Sequence, residues 1–454
     1  LSDPKEQRLP WIRLAAFGSI SLPLATIGLP LSIYLAPFYA GELGIPLGLL
    51  GLAMILARLT DVITDPLIGA ASDRIRTPWG RRRVWIPFGS ALLMFGCVQL
   101  FMPDMFSILG EPSVWTFAAW LSIVYLGFTF VQLPHSAWGG ELSNDYFERT
   151  RIFSVRQFFT MCGLILATAL PALVLSRPGA GAGDVLQALS VLLLVLLPIC
   201  VVLVTVFTPE PKAPASEAFV GLFRGARIVL RNGPFRIITL ALFLGYVAET
   251  FRITITLFFA RDVIGVPNIG LVYAAYFAVG LAAVPFWTWL AGRIGKHRAL
   301  ACAFVIVVMT NISLFFLEHG QIALFTAIFM FKGMCFGALE LVPASLVADA
   351  VDVDTARSRS RRQGLFFAFV TMTNKIGQAF GQGMSLIFLS LVGYNAAGET
   401  DPENLLWMRA LYALLPVVIL APAIWLMWRY RFTAARHTRL REAMARRDAR
   451  EAIA

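Results

Sequence analysis

The sequence predicts an all-α membrane protein of twelve transmembrane helices arranged as two six-helix halves. Three observations lead there. Of 454 residues, 58% are hydrophobic and 14% charged, whereas a soluble protein is about a quarter charged. Twelve apolar runs are long enough to span a bilayer, which takes about 20 residues. The loops between them alternate in charge.

The runs cover residues 14–40, 46–71, 84–104, 113–140, 152–176, 185–208, 236–260, 268–291, 299–317, 321–349, 364–392 and 405–429. None alternates with a period of two, which excludes a transmembrane barrel. One set of loops is basic: Arg74 to Arg83, Arg149 with Arg151, Lys212 to Arg236, Arg293 to Arg298, Arg357 to Arg362, and the tail from Arg429 to Arg450. The other set is acidic or neutral: Glu42, Asp104 with Glu111, Gly179 to Asp184, Glu318, and Glu399 to Glu403. Short basic loops stay inside, so both termini are expected in the cytoplasm of a bacterium, with the chain in its inner membrane. The net charge of +11 is thereby accounted for without nucleic acid. No cleavable signal peptide is read. Cys97, Cys162, Cys200, Cys302 and Cys335 all fall in apolar segments without metal-ligand spacing, so neither a disulfide framework nor a zinc site is expected.

The longest internal polar stretch, Pro209-Glu-Pro-Lys-Ala-Pro-Ala-Ser-Glu217, has the composition of a linker. It divides the chain into a first half (1–208), a linker (209–235), a second half (236–430) and a basic tail (431–454). The tail reads either as a short amphipathic helix or as a solvated extension. The loop after run 2 and the loop after run 8, Gly292-Arg293-Ile-Gly295-Lys296-His297-Arg298, share glycine and basic residues. Two parallel six-span halves are the plan of major facilitator transporters.

Asp61 and Asp65 lie within run 2. Four apart on a helix, they share a face, roughly 5–6 Å apart at Cβ. Paired carboxylates are costly in a bilayer and persist where they pair, hold protons or coordinate a cation. A cation site is the functional reading; a structural ion pair with a lysine or arginine of another helix is the alternative. At the end of the run, Asp73-Arg74 and Gly80-Arg81-Arg82-Arg83 resemble the loop motif of the major facilitator superfamily. That resemblance makes Asp73, Arg74 and Arg81 a gating latch; ordinary inside-positive charge is the alternative.

The larger stretch, Asp61-Val-Ile-Thr-Asp65-Pro66 through Asp73-Arg74-Ile-Arg-Thr-Pro-Trp79-Gly80-Arg81, resembles the glycoside–pentoside–hexuronide:cation symporters. The resemblance covers the whole chain in topology and is strongest in spans 2, 4 and 11. It implies that Asp61 and Asp65 bind the coupling Na⁺ or H⁺ with the hydroxyl of Thr129, and that Lys375 couples that site to the substrate. No cofactor beyond the ion is implied. Carboxylates and a hydroxyl are the hard oxygens a hard cation prefers. Lys375 lies too deep in its span to snorkel easily. Thr129 taken alone reads as a hydroxyl bonded to its own helix.

The sequence departs from the family where sugar specificity would reside. Span 1 has no carboxylate, and span 4 has Gln132 where the acid would fall. Gln132, His135 and Trp138 remain as candidate substrate ligands, although histidine and tryptophan there also suit structural roles. In the second half, Glu249 and Arg252 stand at i and i+3, where a self-satisfied pair is the alternative to a substrate role, and Lys332 and Glu340 lie eight apart on similar faces. If Arg252, Lys332 and Lys375 line one cavity, it suits an anionic solute. The expected function is a monomeric cation-coupled symporter of a small polar solute, a sugar derivative or an anionic glycoside or uronide. A lysolipid or other amphipathic-substrate transporter of the same fold is the alternative. No nucleophile–base constellation, metal motif or nucleotide loop supports an enzyme.

Overall fold

A computed structural model describes residues 8–75, 77–106, 108–143, 146–210, 222–358, 362–398 and 401–430, with scattered tail positions between 432 and 446. The expected linker at 211–221 and most of the tail lie outside these. Twelve principal helical elements follow one another: α1 (Trp11–Ile33), α2 (Leu47–Arg74), α3 (Trp85–Phe101), α4 (Val114–Glu141), α5 (Tyr146–Val174), α6 (Ala182–Phe207), α7 (Gly233–Phe258), α8 (Ile269–Ala282 and Val284–Ile294), α9 (Lys296–Phe315), α10 (Ile322–Gly333 and Phe336–Ser358), α11 (Gln363–Leu391) and α12 (Pro402–Ala413 and Leu415–Trp428). Each overlaps one predicted run. Among the described residues, nine helices are long and apolar enough to cross a membrane, or ten if α8, bent by 45° at Ala283, is one span. α3 has only 17 residues, and α11 does not meet the same test.

Local chemistry sets several boundaries. Ser113 caps α4: its hydroxyl accepts from Thr116 N while the Thr116 hydroxyl accepts from Ser113 N, at 3.3 and 2.8 Å. Asn232 caps α7 by accepting from Phe235 N at 3.1 Å and donates to Ala350 O at 2.7 Å, tying α7 to α10. Helix α10 is interrupted at Met334-Cys335. There the Trp287 indole donates to the Met334 carbonyl at 2.6 Å.

The chain forms two compact units. The first comprises Leu1–Phe219, Pro267–Ala274 and Leu386–Thr400; the second comprises Val220–Val266, Ala275–Ser385 and Asp401–Ala454. In the first unit α4 packs on α2 and α3. Small residues let the α3 and α4 backbones approach, as membrane helix pairs require. A Cβ on Gly127 would stand 2.6 Å from Leu93 N, and one on Gly89 2.6 Å from Phe130 Cβ. This contact holds α4 in place and, with it, Thr129. The core of the second unit gathers Phe235, Trp287, Phe304, Phe366, Leu420 and Met427.

Candidate cation site and its surroundings

Asp61 and Asp65 lie midway along α2, with Pro66 inside the helix. Proline has no N–H, so the helical bond to the Val62 carbonyl is not made. Asp61 is buried and Asp65 half-buried. The Thr129 hydroxyl, 1% exposed on α4, donates to Asp65 Oδ1 at 3.1 Å. It reaches across from α4 to α2.

Asp61 has a partner that the sequence reading missed. Arg58 Nη1 lies 3.2 Å from Asp61 Oδ2. The two residues sit at i and i+3 on α2, a spacing visible in the sequence. The Arg58 guanidinium also lies 4.3 Å over the Tyr125 ring of α4. The alternative of a structural ion pair therefore has one partner on the same helix. Two carboxylates, one hydroxyl and one guanidinium thus converge between α2 and α4. The oxygens are hard donors that suit a small monovalent cation, or a proton shared within the pair.

At the end of α2 the basic loop is ordered by acids. Arg81 Nη2 and Arg82 Nη2 donate to Glu141 Oε1 at 2.6 and 2.9 Å, and Arg82 Nη1 donates to Ser72 Oγ at 2.8 Å. The expected gating residue Arg81 thus meets the carboxylate that ends α4. Arg74 is exposed. The Asp73 side chain lies outside the described residues.

In the second unit, Glu249 bridges two cations. Arg252 Nη2 lies 2.5 Å from Glu249 Oε1, and Lys332 Nζ 3.0 Å from Glu249 Oε2. Arg252 also donates to the Tyr412 hydroxyl at 3.1 Å, and Lys332 to Asn311 Oδ1 at 3.1 Å. Arg252 and Lys332 are each 1% exposed. The two cations expected along one cavity with Lys375 are thus buried side by side against Glu249, as a buried cation must find an anion. The interruption at Met334-Cys335 lies between Lys332 and Glu340.

Two further substrate candidates are buried side chains. His135 is 1% exposed, its Nε2 lies 2.8 Å from Phe17 O, and its ring stacks on Phe17 at 4.2 Å. Trp138 is fully buried and donates to Pro209 O at 3.0 Å. Both side chains are packed and bonded within the helices. Gln132 is half-buried on the same helix. Lys375 is 9% exposed, about midway along α11 in the second unit.

Comparisons with known proteins extend this picture. The family model described as MFS/sugar transport protein matches residues 16–434. A putative glycoside/cation symporter, YagG, of Escherichia coli (strain K12) is 27% identical over 412 residues, covering 88% of each chain. The sodium-dependent lysophosphatidylcholine symporter 1 of Homo sapiens is 24% identical, over 86% of this chain and 78% of its own length. Among solved structures, an inward-facing, unoccupied bacterial homolog of the human lysosomal transporter Spinster aligns with a TM-score of 0.68 at 14% identity, covering 93% of this chain and 97% of that one. The D-xylose-proton symporter aligns with a TM-score of 0.64 at 14% identity, covering 92% and 97%.

Proposed function

The chain belongs to the MFS/sugar transport protein family, and on that premise we propose that it is a cation-coupled symporter of a small polar solute, working by alternating access. The observation that carries the reading is the convergence of Asp61, Asp65 and the Thr129 hydroxyl between two helices of one unit. Asp65 and Thr129 take the coupling cation, Na⁺ or H⁺, with Asp61 as the second carboxylate. Arg58 supplies Asp61 with a counter-charge from the same helix. Lys375 couples this site to the solute. Relatives named as glycoside/cation symporter and isoprimeverose transporter support a sugar derivative or uronide as the solute class. The protein acts as a monomer in a bacterial inner membrane, with both termini and the basic loops in the cytoplasm.

A second reading has its own support. Two relatives are named sodium-dependent lysophosphatidylcholine symporter, from Homo sapiens and Gallus gallus, and Gln132 replaces the span-4 acid of the sugar carriers. A lysolipid could then use the same cation site.

The test is thermal stability of the purified protein in Na⁺, Li⁺ or K⁺ over a range of pH, crossed with sugars, uronates and lysolipids. Stabilisation by Na⁺ or by acid, deepened by one solute class and lost in Asp65→Asn, is the expected result. Equal stability in all salts and at all pH values would reject the coupling site. Deepening by lysolipids alone would select the second reading.

A further inference from the structure

Three consecutive residues after α6 are held by the rest of the first unit. Arg83 Nη2 donates to Thr208 O at 2.8 Å, and Trp138 Nε1 donates to Pro209 O at 3.0 Å. Glu210 then accepts through one oxygen from the backbone N–H groups of both Arg81 and Arg82, the latter at 2.6 Å. Successive N–H groups in a turn form a concavity that takes an anion.

The turn is built for this. Gly80 N donates to Thr77 O at 3.0 Å and the Thr77 hydroxyl to Gly80 O at 2.6 Å, closing Thr77-Pro78-Trp79-Gly80. Proline at the second position and glycine at the fourth suit such a turn. Gly80 has φ +121°, and a Cβ there would run into the Glu210 carboxylate. Side chain and backbone thus divide the work between two acids: Glu141 takes the guanidinium groups of Arg81 and Arg82, and Glu210 takes their amides.

We propose that Glu210 is a positioning residue for the basic loop: its carboxylate occupies the two-amide nest and so aims Arg81 and Arg82 at Glu141. The end of α6 thereby becomes the fastener joining the ends of α2 and α4. The second unit has the same plan without the charge. Lys296 of its basic loop meets Asp349 at 2.7 Å, and Tyr430, just past α12, packs against the His297 ring at 5.6 Å between centroids. An aromatic ring there replaces the carboxylate that follows α6. The effect on transport rests on the carrier reading above; the effect on the loop does not.

The experiment measures amide hydrogen exchange of the segment 77–84 in the full chain in lipid nanodiscs, for wild type, Glu210→Gln and Glu210→Ala. A parallel arm follows ²²Na⁺ exchange in proteoliposomes. Glu210→Ala should speed exchange at the Arg81 and Arg82 amides at least tenfold. Glu210→Gln, which keeps a carbonyl acceptor, should fall between, and it decides the matter if the alanine variant does not reach the membrane. Maximal ²²Na⁺ exchange should fall at least threefold at unchanged half-saturation. Wild-type protection of the loop in both variants would overturn the proposal, as would a half-saturation shifted in step with the rate. Absence of ²²Na⁺ exchange in the wild type would exclude Na⁺ as the coupling ion and leave the protection arm to decide on Glu210.

Discussion

Lys296 and Asp349 form a forked contact: the ammonium donates to both carboxylate oxygens, at 2.8 and 2.7 Å. The pair joins the start of α9 to α10 in the second unit. It repeats the first unit's contact of Arg81 with Glu141 at 2.6 Å, which joins the loop before α3 to the end of α4. The loops resemble one another in sequence, and the acids they meet stand on the fourth helix of each half.

The two copies should differ in strength. Lys296 is 38% exposed, whereas Arg81 is 12% and Arg82 6% exposed. Asp349→Asn should therefore cost less than about 1 kcal/mol and vanish in high salt. Glu141→Gln, which weakens two charge-assisted bonds, should cost about 1.5–3 kcal/mol. Thermal unfolding at low and high ionic strength measures both; equal losses would contradict the ranking.

Thr129 contributes a neutral oxygen to a charged site. Thr129→Val should weaken apparent Na⁺ affinity about fivefold, the equivalent of a net hydrogen bond of about 1 kcal/mol. Asp65→Asn should remove the Na⁺ response altogether. Titrations of thermal stability with Na⁺ would separate these outcomes. A valine variant with wild-type affinity would place the hydroxyl outside the cation's reach.

Removal of Arg58 should be worse than removal of its partner. Arg58→Ala leaves Asp61 buried without its guanidinium, a loss of about 3–5 kcal/mol. Arg58→Ala with Asp61→Asn should recover most of that loss. The readout is the folded fraction after detergent extraction. Failure of the double variant to recover would show that Arg58 acts through Tyr125 and packing instead.

Much of this was legible beforehand, for identifiable reasons. Length and apolarity fix spans, so each of the twelve runs meets a helical element. Asp61 and Asp65 stood out because charge inside an apolar run is costly. Arg58 escaped notice although its i,i+3 spacing to Asp61 was present, because a basic residue near the middle of a run reads as an isolated exception. Arg252 and Lys332 were grouped with Lys375 along one cavity, but charge alone does not say whether a cation faces a cavity or a carboxylate, and both meet Glu249. The burial of His135 and Trp138 depends on Phe17 and Pro209, more than 70 residues away in the chain, which no local pattern reveals.

The polar core of the second unit gives a further expectation. Glu249 is the carboxylate shared by Arg252 and Lys332. Glu249→Gln should destabilise by about 3–5 kcal/mol, because two buried cations lose their anion. Lys332→Met should cost less, since it removes a charge and keeps the volume. A scan of both variants tests the order; a more damaging Lys332→Met would mean that the ammonium, and not the carboxylate, holds the core together.

One helix has an implication for the bilayer around it. With 17 residues at 1.5 Å each, α3 reaches about 26 Å, some 4 Å short of a typical hydrocarbon core. Its last carbonyls do not end in lipid: Leu100 and Phe101 are buried, and Leu100 O accepts from the Tyr39 hydroxyl at 2.8 Å. Beyond it Met105, Ile108 and Leu109 are 64%, 67% and 53% exposed, an apolar cap that can enter the interface but not lengthen the helix. The short helix Pro103–Phe106 carries the apolar surface a few residues further, and any remaining mismatch is met by thinning of the bilayer at modest cost. Acyl-chain length thus becomes a variable of this protein's behaviour.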